Sequence, residues 1–285
     1  GNGHSEKIVG NALQDVRDNV VIATKVFSSH LKYQQVIDAC HRSLKNLNTD
    51  YIDLYQIHWP PGSFGGEPVP LEETMGALND LKVQAKIRAI GVSNFSRSQM
   101  EDAAKYGEIE SLQPPYSLFW RKVETDALPY CLENNITVLA YSSMAQGLLT
   151  GKFNPGADPS AREGARLETS PRGAQLLQAG KIEVAEAPAS LAADIGCSSA
   201  QLALAWMAQR SARRVIPIIG ARKLAQLEDN LLAVTVELNA AQIAQLDELT
   251  ALTPEYPQTL FASEFFQTMM YGETREQITP RHPGV

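Results

Sequence analysis

The sequence predicts an α/β protein built on a parallel sheet. Short apolar runs of strand length alternate with helical patterns of roughly ten to fifteen residues, and this alternation is typical of parallel sheets. Polar groups follow three successive apolar runs: Lys25, then His58, then Ser93 with Asn94. In a parallel barrel, the carboxyl ends of the strands are where catalytic groups are placed. We therefore interpret these residues as parts of one active-site mouth.

The composition of the 285-residue chain indicates one large globular domain or two modest ones. Hydrophobic residues make up 44% of the chain and charged residues 20%, which suits a full core. The net charge of −7 argues against a nucleic-acid or anionic-membrane partner, and no apolar run reaches the roughly 18 residues of a membrane span. Cys40 and Cys131 fall on apolar helix stripes, so we expect buried free thiols in a reduced, cytoplasmic protein.

Six apolar runs are strand candidates, two fewer than the eight strands of a closed (β/α) barrel. The clearest candidate is Ile136-Thr137-Val138-Leu139-Ala140-Tyr141. The candidates begin at residues 20, 52, 88, 111, 136 and 214.

Helical periodicity separates these strands. Ser198 and Gln201 form a capping box that starts one helix, and Gly196 ends the helix before it. Pro188 conflicts with that earlier helix, so we expect a kink or break there. Ala85 stands at a helix end where glycine would tolerate the left-handed conformation, so we expect modest strain. Further helices are predicted near residues 33–46, 71–84, 98–105, 124–133, 224–231 and 240–249, and a long polar loop over 154–172.

Several short motifs occur in a fixed order from the first strand to about residue 230. Together they resemble the motifs of the aldo-keto reductases, particularly the bacterial type related to the channel β-subunit-like branch. Any one motif would be weak, but the ordered set is specific. The set comprises Thr24-Lys25-Val26, residues 53–60 with Ile57-His58-Trp59-Pro60, residues 86–95 with Gly91-Val92-Ser93-Asn94-Phe95, Gln113 with Tyr116-Ser117, Tyr141-Ser142, residues 146–152, and residues 216–222 followed by Gln226, Asp229 and Asn230.

The resemblance implies a fold and a reaction. The fold is a (β/α)8 TIM barrel formed by one domain over residues 1–285, with 253–285 as a C-terminal tail over the barrel mouth. The family binds NADPH extended across the carboxyl ends of the strands and transfers a hydride between nicotinamide C4 and a carbonyl carbon. The expected function is therefore NADPH-dependent reduction of aldehydes or ketones to alcohols, with a small carbonyl compound as the partner.

By motif match, Lys25 is the family's catalytic lysine and His58 its catalytic histidine. The alkoxide that develops during reduction needs a proton donor, and a tyrosine of pKa about 10 is a poor acid at neutral pH. A nearby ammonium lowers that pKa, and a neutral histidine can orient the carbonyl oxygen through a hydrogen bond. The other histidines lack metal-ligand spacing, so no metal site is expected.

The family's catalytic aspartate and tyrosine have no counterpart in this sequence. The resemblance places the tyrosine immediately before Gly1, and the first two strands and the first helix upstream of it. We therefore expect a barrel that is incomplete at its N-terminus, with low turnover and limited stability. Two other functions stay open: a nicotinamide-binding regulatory protein that resembles channel β-subunits, and an unrelated phosphate-binding barrel enzyme.

The nicotinamide contacts implied by the resemblance lie after the third and fourth strand candidates. Ser93 and Asn94, with Gln113 alongside, match the residues that hydrogen-bond the carboxamide of the nicotinamide. Tyr116 matches the residue whose ring stacks on the nicotinamide. Outside this context, a Ser-Asn pair would be a turn or helix cap, and an aromatic residue here would be core.

The phosphate and adenine contacts implied by the resemblance lie in the second half of the chain. Glycines in residues 146–152 would let backbone amides approach the pyrophosphate. Residues 220–222 open a helix, where free amides and the dipole favour an anion. Arg222 would bind a 2′-phosphate and favour NADP over NAD. The alternative interpretation is that Arg222 is an ordinary exposed surface residue. The full set is Ser142, Gln146, Gly147, Leu148, Gly151, Lys152, Gly220, Ala221, Arg222, Gln226, Asp229 and Asn230.

Aromatic residues in the loops that the resemblance places over the barrel mouth indicate an apolar or flat carbonyl substrate. The loops are residues 59–70, the segment after Tyr116, and the C-terminal tail. Their aromatic residues include Phe119, Trp120, Phe261, Phe265, Phe266 and Tyr271.

Overall fold

A computed structural model of the chain describes residues 2–170, 181–210, 214–251 and residue 269. These residues form one six-stranded sheet in which every strand pairs in parallel with the next strand of the chain. This order is that of a barrel wall, since a doubly wound sheet reverses its strand order. The strands are β1 (Ala23–Val26), β2 (Ile52–Ile57), β3 (Ile87–Ser93), β4 (Ser111–Gln113), β5 (Thr137–Ala140) and β6 (Val215–Pro217).

The strand predictions are confirmed, with one shifted start. β1 begins at Ala23, three residues later than predicted, and the other five strands begin within one residue of their predicted starts. Within the described residues, β1 and β6 each pair with a single neighbour, so the six strands form an open arc.

Helices connect the strands and cover the outer face of the sheet. They pack there because an apolar stripe runs along each covering helix, as on the second helix, where Val36, Cys40, Leu44 and Leu47 are all buried. None of the helices in the described ranges is long and apolar enough to span a membrane. The helices are α1 (His4–Leu13), α2 (Tyr33–Leu47), α3 (Leu71–Val83), α4 (Arg97–Ala103), α5 (Ala127–Glu133), α6 (Arg166–Thr169), α7 (Lys181–Ile195), α8 (Ser199–Gln209), α9 (Leu224–Leu231) and α10 (Ala240–Leu249).

Three local predictions about helix ends can be compared with the structure. The capping box is confirmed, since Ser198 Oγ accepts from the Gln201 amide at 3.1 Å and Gln201 Oε1 accepts from the Ser198 amide at 3.2 Å. Of the kink or break predicted at Pro188, the break is wrong, because α7 continues through this buried proline and packs against α8. The kink stays a prediction. The strain expected at Ala85 is confirmed, because its φ angle is +56°.

The cysteine prediction is also confirmed. Cys40 and Cys131 are buried free thiols, and burial raises the pKa of each to about 12. Both thiols are therefore protonated and inert at neutral pH.

Candidate active site

The catalytic pair expected from the sequence lies at the carboxyl ends of β1 and β2. Lys25 stands opposite Gln56 in the register, and the His58 amide donates to the carbonyl oxygen of Val26 at 2.9 Å. Burial lowers the pKa of Lys25. Burial, and then the charge of Lys25, lower the pKa of His58, so its imidazole is neutral at pH 7. A cation and a neutral hydrogen-bonding ring thus stand side by side at the mouth.

Hydrogen bonds of Ser93 and Asn94 link the carboxyl ends of four strands, β2 to β5. Ser93 Oγ donates to the carbonyl oxygen of Gln113 at 2.8 Å, and Asn94 Nδ2 donates to the carbonyl oxygen of His58 at 3.0 Å. The Tyr141 hydroxyl donates to Asn94 Oδ1 at 2.8 Å. Asn94 adopts a φ angle of +62°, a conformation that asparagine tolerates better than most residues. The pair therefore fixes the shape of the mouth, whatever it contacts in a ligand.

Gln113 has a partner that the sequence did not single out. Gln56, on the inner face of β2, donates from Nε2 to Gln113 Oε1 at 3.2 Å. All six residues of β2 are buried, so a glutamine in this strand is a polar group in a buried position. That pattern is the signal in the sequence that could have identified Gln56.

The structure contradicts the stacking role expected for Tyr116. Its side chain is 0% exposed, its hydroxyl donates to Glu124 at 2.7 Å, and its ring packs 5.7 Å from that of Trp206. No face of this ring is open to a ligand, because the chain after β4 turns it into the outer layer. Among the described tyrosines, Tyr141 at the end of β5 is the one that lines the two cavities of the mouth.

A cavity of about 980 Å³ extends from Tyr141 along the ends of β5 and β6. Its wall combines the loop after β5, part of the polar loop before α6, the start of α8, and the turn between β6 and α9. The residues predicted to bind phosphate and adenine that line it are Ser142, Gln146, Gly147, Lys152, Gly220, Ala221, Arg222, Gln226, Asp229 and Asn230.

The loop after β5 adopts an unusual backbone conformation. Ser142, Ala145 and Gln146 have φ angles of +57°, +48° and +60°, and Gly147 has +97°. Gln146 Nε2 donates to Ser142 Oγ at 3.2 Å, and its buried Oε1 has no hydrogen-bond partner among the described residues. Several left-handed residues in one cavity wall are typical of a ligand-binding loop.

The charges around this cavity favour an anion. Lys152, Arg166, Arg222 and Lys223 line it, against the single carboxylate of Asp229. Burial, and then the charge of Arg222, lower the pKa of Lys152. Cations that lie close together in a partly buried cavity repel one another, and a bound anion offsets this repulsion. The donor set therefore fits the phosphates of NADP(H).

Some of the predicted phosphate and adenine residues serve the protein itself. Leu148 is fully buried, and Gly151 lies outside the cavity wall beside Ser199. Gln226 Oε1 accepts from the backbone amides of Arg222 and Lys223 at 3.0 and 3.3 Å. The sequence had led us to expect free amides at the start of α9. Some of them are not free, because Gln226 caps this helix.

Asp229 and Arg222 also hold parts of the cavity wall together. The Asp229 carboxylate accepts from Ser198 Oγ at 2.9 Å and from Gln201 Nε2 at 2.7 Å, which joins α9 to the start of α8. Arg222 Nη1 donates to the carbonyl oxygen of Gly164 at 2.8 Å, which joins the polar loop to the turn after β6. Arg222 is exposed, so its remaining donors are accessible.

A second cavity, of about 610 Å³, opens from the same mouth on the other side of Tyr141. Trp59, Phe119 and Trp120 form aromatic parts of its wall, so two of the three predicted aromatic segments meet there. The third segment, with Phe261, Phe265, Phe266 and Tyr271, lies outside the described residues. In the described ranges, no group of His, Cys, Asp or Glu is arranged to hold a metal ion.

Residues 1–251 match the model of the aldo/keto reductase family. The chain belongs to this family. Methylglyoxal reductase YeaE of Escherichia coli is 34% identical to this family member, over 86% of the chain and 75% of that protein. Aldo-keto reductase YhdN of Bacillus subtilis is 44% identical over 54% of the chain, and the match spans about half of that relative, 48% of its length.

A solved structure also resembles this aldo/keto reductase. The Klebsiella pneumoniae aldo/keto reductase in complex with NADP and acetate is 30% identical, with a TM-score of 0.69, over 90% of this chain and 79% of that chain. These comparisons confirm the predicted family, the barrel-type α/β fold and the expected class of oxidoreductases. A probable potassium channel subunit β of Arabidopsis thaliana matches at 29% identity, which is weaker support for the regulatory alternative.

Proposed function

We propose that this aldo/keto reductase binds NADPH across the ends of β3 to β6 and reduces a small aldehyde or ketone to an alcohol. The observation that carries the proposal is the position of Tyr141. It lines both cavities and donates to Asn94, which in turn donates to the carbonyl oxygen of His58. The anion-binding cavity and the aromatic cavity therefore meet at a tyrosine that is linked through Asn94 to the strand end that carries His58.

Each residue of the proposed site has a separate role in the reaction. NADPH, when bound, supplies the hydride that adds to the carbonyl carbon. Negative charge that developed on the carbonyl oxygen would be stabilised by the ammonium of Lys25, which would donate the proton that completes the alcohol and regain it from water. The neutral imidazole of His58 donates a hydrogen bond that orients the same oxygen. The aromatic walls around Trp59 and Phe119 exclude water from the reacting carbonyl.

The phosphate end of the cavity supports NADPH over NADH. Arg222 and Lys152 lie on that wall, and neither forms a salt bridge within the described residues, although the charge of Glu168 acts on Lys152. A 2′-phosphate supplies one additional dianionic group. A methylglyoxal reductase among the relatives makes a small aldehyde a suitable first substrate. The buried free thiols fit action in the reducing cytoplasm.

The test is a fluorescence titration with NADPH, followed by a turnover assay with methylglyoxal. We expect saturable binding and a slow, carbonyl-dependent loss of NADPH absorbance. Lys25→Met, which keeps the length of the side chain but removes its charge, should lower kcat/KM by about 100-fold or more and leave NADPH binding intact. Failure to bind NADPH would refute the proposal. Binding without turnover would favour the regulatory alternative.

A further inference from the structure

Gln56 lies beneath the mouth and connects its two sides. It occupies the next-to-last position of β2, opposite Lys25 on β1 and Gly91 on β3, and its side chain is 1% exposed. It therefore lies between the catalytic lysine and the strand that ends at Ser93, yet the proposed function gives it no role.

The space around Gln56 is shaped for this side chain. A Cβ atom at residue 91 would lie 2.9 Å from Gln56 Cγ and 2.2 Å from Ser111 Oγ, so glycine is required there. Two buried atoms in this layer, Gln56 Oε1 and Ser111 Oγ, have no hydrogen-bond partner among the described residues. Burying an unsatisfied amide oxygen costs about 1–3 kcal/mol, so glutamine at position 56 is a poor choice for stability alone.

The one hydrogen bond that Gln56 makes determines the orientation of a second amide. Its Nε2 donates to Gln113 Oε1 at 3.2 Å, so that oxygen must face the interior. Among the described residues, no hydrogen bond uses the Nε2 group of Gln113. Without Gln56, the Gln113 amide could turn by half a rotation and present oxygen instead of nitrogen.

We propose that Gln56 is a positioning residue: its hydrogen bond holds Gln113 with Nε2 as a donor toward the carbonyl oxygen of the bound nicotinamide carboxamide. The proposal rests on the proposed function, since it concerns how the same cofactor is held. Gln56 itself touches no cofactor atom and acts through Gln113.

The test uses three ligands and the matched variant Gln56→Met, which keeps the volume but removes both polar atoms. NADPH carries the whole carboxamide, its 3-acetylpyridine analogue keeps the carbonyl oxygen but lacks the NH₂ group, and 2′-phospho-ADP-ribose lacks the nicotinamide. We expect the variant to raise the Kd of the first two ligands by the same factor, about fivefold to tenfold. The Kd of 2′-phospho-ADP-ribose should stay within about twofold, which also shows that the variant is folded.

A double-mutant cycle with Gln113→Met tests whether Gln56 acts through Gln113. We expect the double variant to bind NADPH as weakly as Gln113→Met alone, because the two residues form one unit. The control is Ser111→Ala, which removes the other unsatisfied group of this layer and should leave NADPH binding unchanged. Its thermal midpoint, like that of Gln56→Met, should not fall.

Several results would overturn the proposal while the proposed function stands. These are an unchanged NADPH Kd in Gln56→Met, additive losses in the cycle, and a loss for NADPH that the acetylpyridine analogue does not share. Equal weakening of all three ligands would also overturn it, since that indicates a general structural change. If the wild-type chain binds none of the three ligands, the proposed function itself fails.

Discussion

Arg222 should decide between NADPH and NADH. Its side chain is exposed at the cavity wall, and one nitrogen is engaged with the carbonyl oxygen of Gly164 at 2.8 Å, which leaves further donors for a phosphate. A hydrogen bond to a charged partner contributes about 1.5–3 kcal/mol. Solvent screening of an exposed guanidinium places Arg222 at the lower end, about 1.5 kcal/mol. We therefore expect Arg222→Met to raise the Kd for NADPH by about tenfold.

The assay is a fluorescence titration of the wild-type and variant chains with NADPH and with NADH. The Kd for NADH should change by less than about twofold, because NADH has no 2′-phosphate. Raised salt should weaken NADPH binding more in the wild type than in the variant. Lys122→Met, which removes an exposed cation from the aromatic cavity instead, is the matched control and should leave both Kd values unchanged. Equal losses for NADPH and NADH would refute the reasoning, since they would show that Arg222 only holds the polar loop.

Three further predictions concern the mouth and the stability of the fold. Tyr141→Phe should raise the NADPH Kd by about fivefold through loss of its bond to Asn94, whereas Tyr116→Phe should leave that Kd unchanged and lower the urea midpoint. Asp53→Asn should lower the free energy of unfolding by about 2 kcal/mol at pH 7, because the buried carboxylate accepts from two arginines. Despite burial, the backbone amide of residue 22 and these arginines lower the pKa of Asp53, so its stabilisation is present above about pH 4 and should disappear in acid unfolding curves as pH falls further. Ala85→Gly should raise the free energy of unfolding by about 0.5–1 kcal/mol, since it relieves a φ of +56°, and an unchanged urea midpoint would contradict this.

The strand ends could be predicted because their signals are local. An apolar run followed by Lys25, His58 or Asn94 places that residue at a strand end without knowledge of the rest of the fold. Parallel pairing then brings these ends to one edge of the sheet. The same holds for the Ser198 capping box, whose partners lie three residues apart.

The direction of individual side chains could not be predicted. β4 has only three residues before Pro114, so its alternation is too short to show which way Tyr116 points. Tyr116 and Tyr141 each follow a strand, and only the tertiary packing around Trp206 separates the buried ring from the accessible one. For Gln226, the spacing from Lys223 matches a helix cap as well as a ligand contact, and the family resemblance had favoured the ligand contact.

Asn94 makes the two ends of the site interdependent. It donates to the carbonyl oxygen of His58 on the proposed catalytic side and accepts from the Tyr141 hydroxyl on the proposed cofactor side. Arg222 lies at the far end of the cavity, so a change there should alter which nucleotide binds without moving Lys25 or His58. A change at Asn94 loosens both sides, because the same side chain holds the histidine strand and the tyrosine in place. We therefore expect a substitution at Arg222 to change nucleotide choice alone, and a substitution at Asn94 to change both nucleotide binding and turnover.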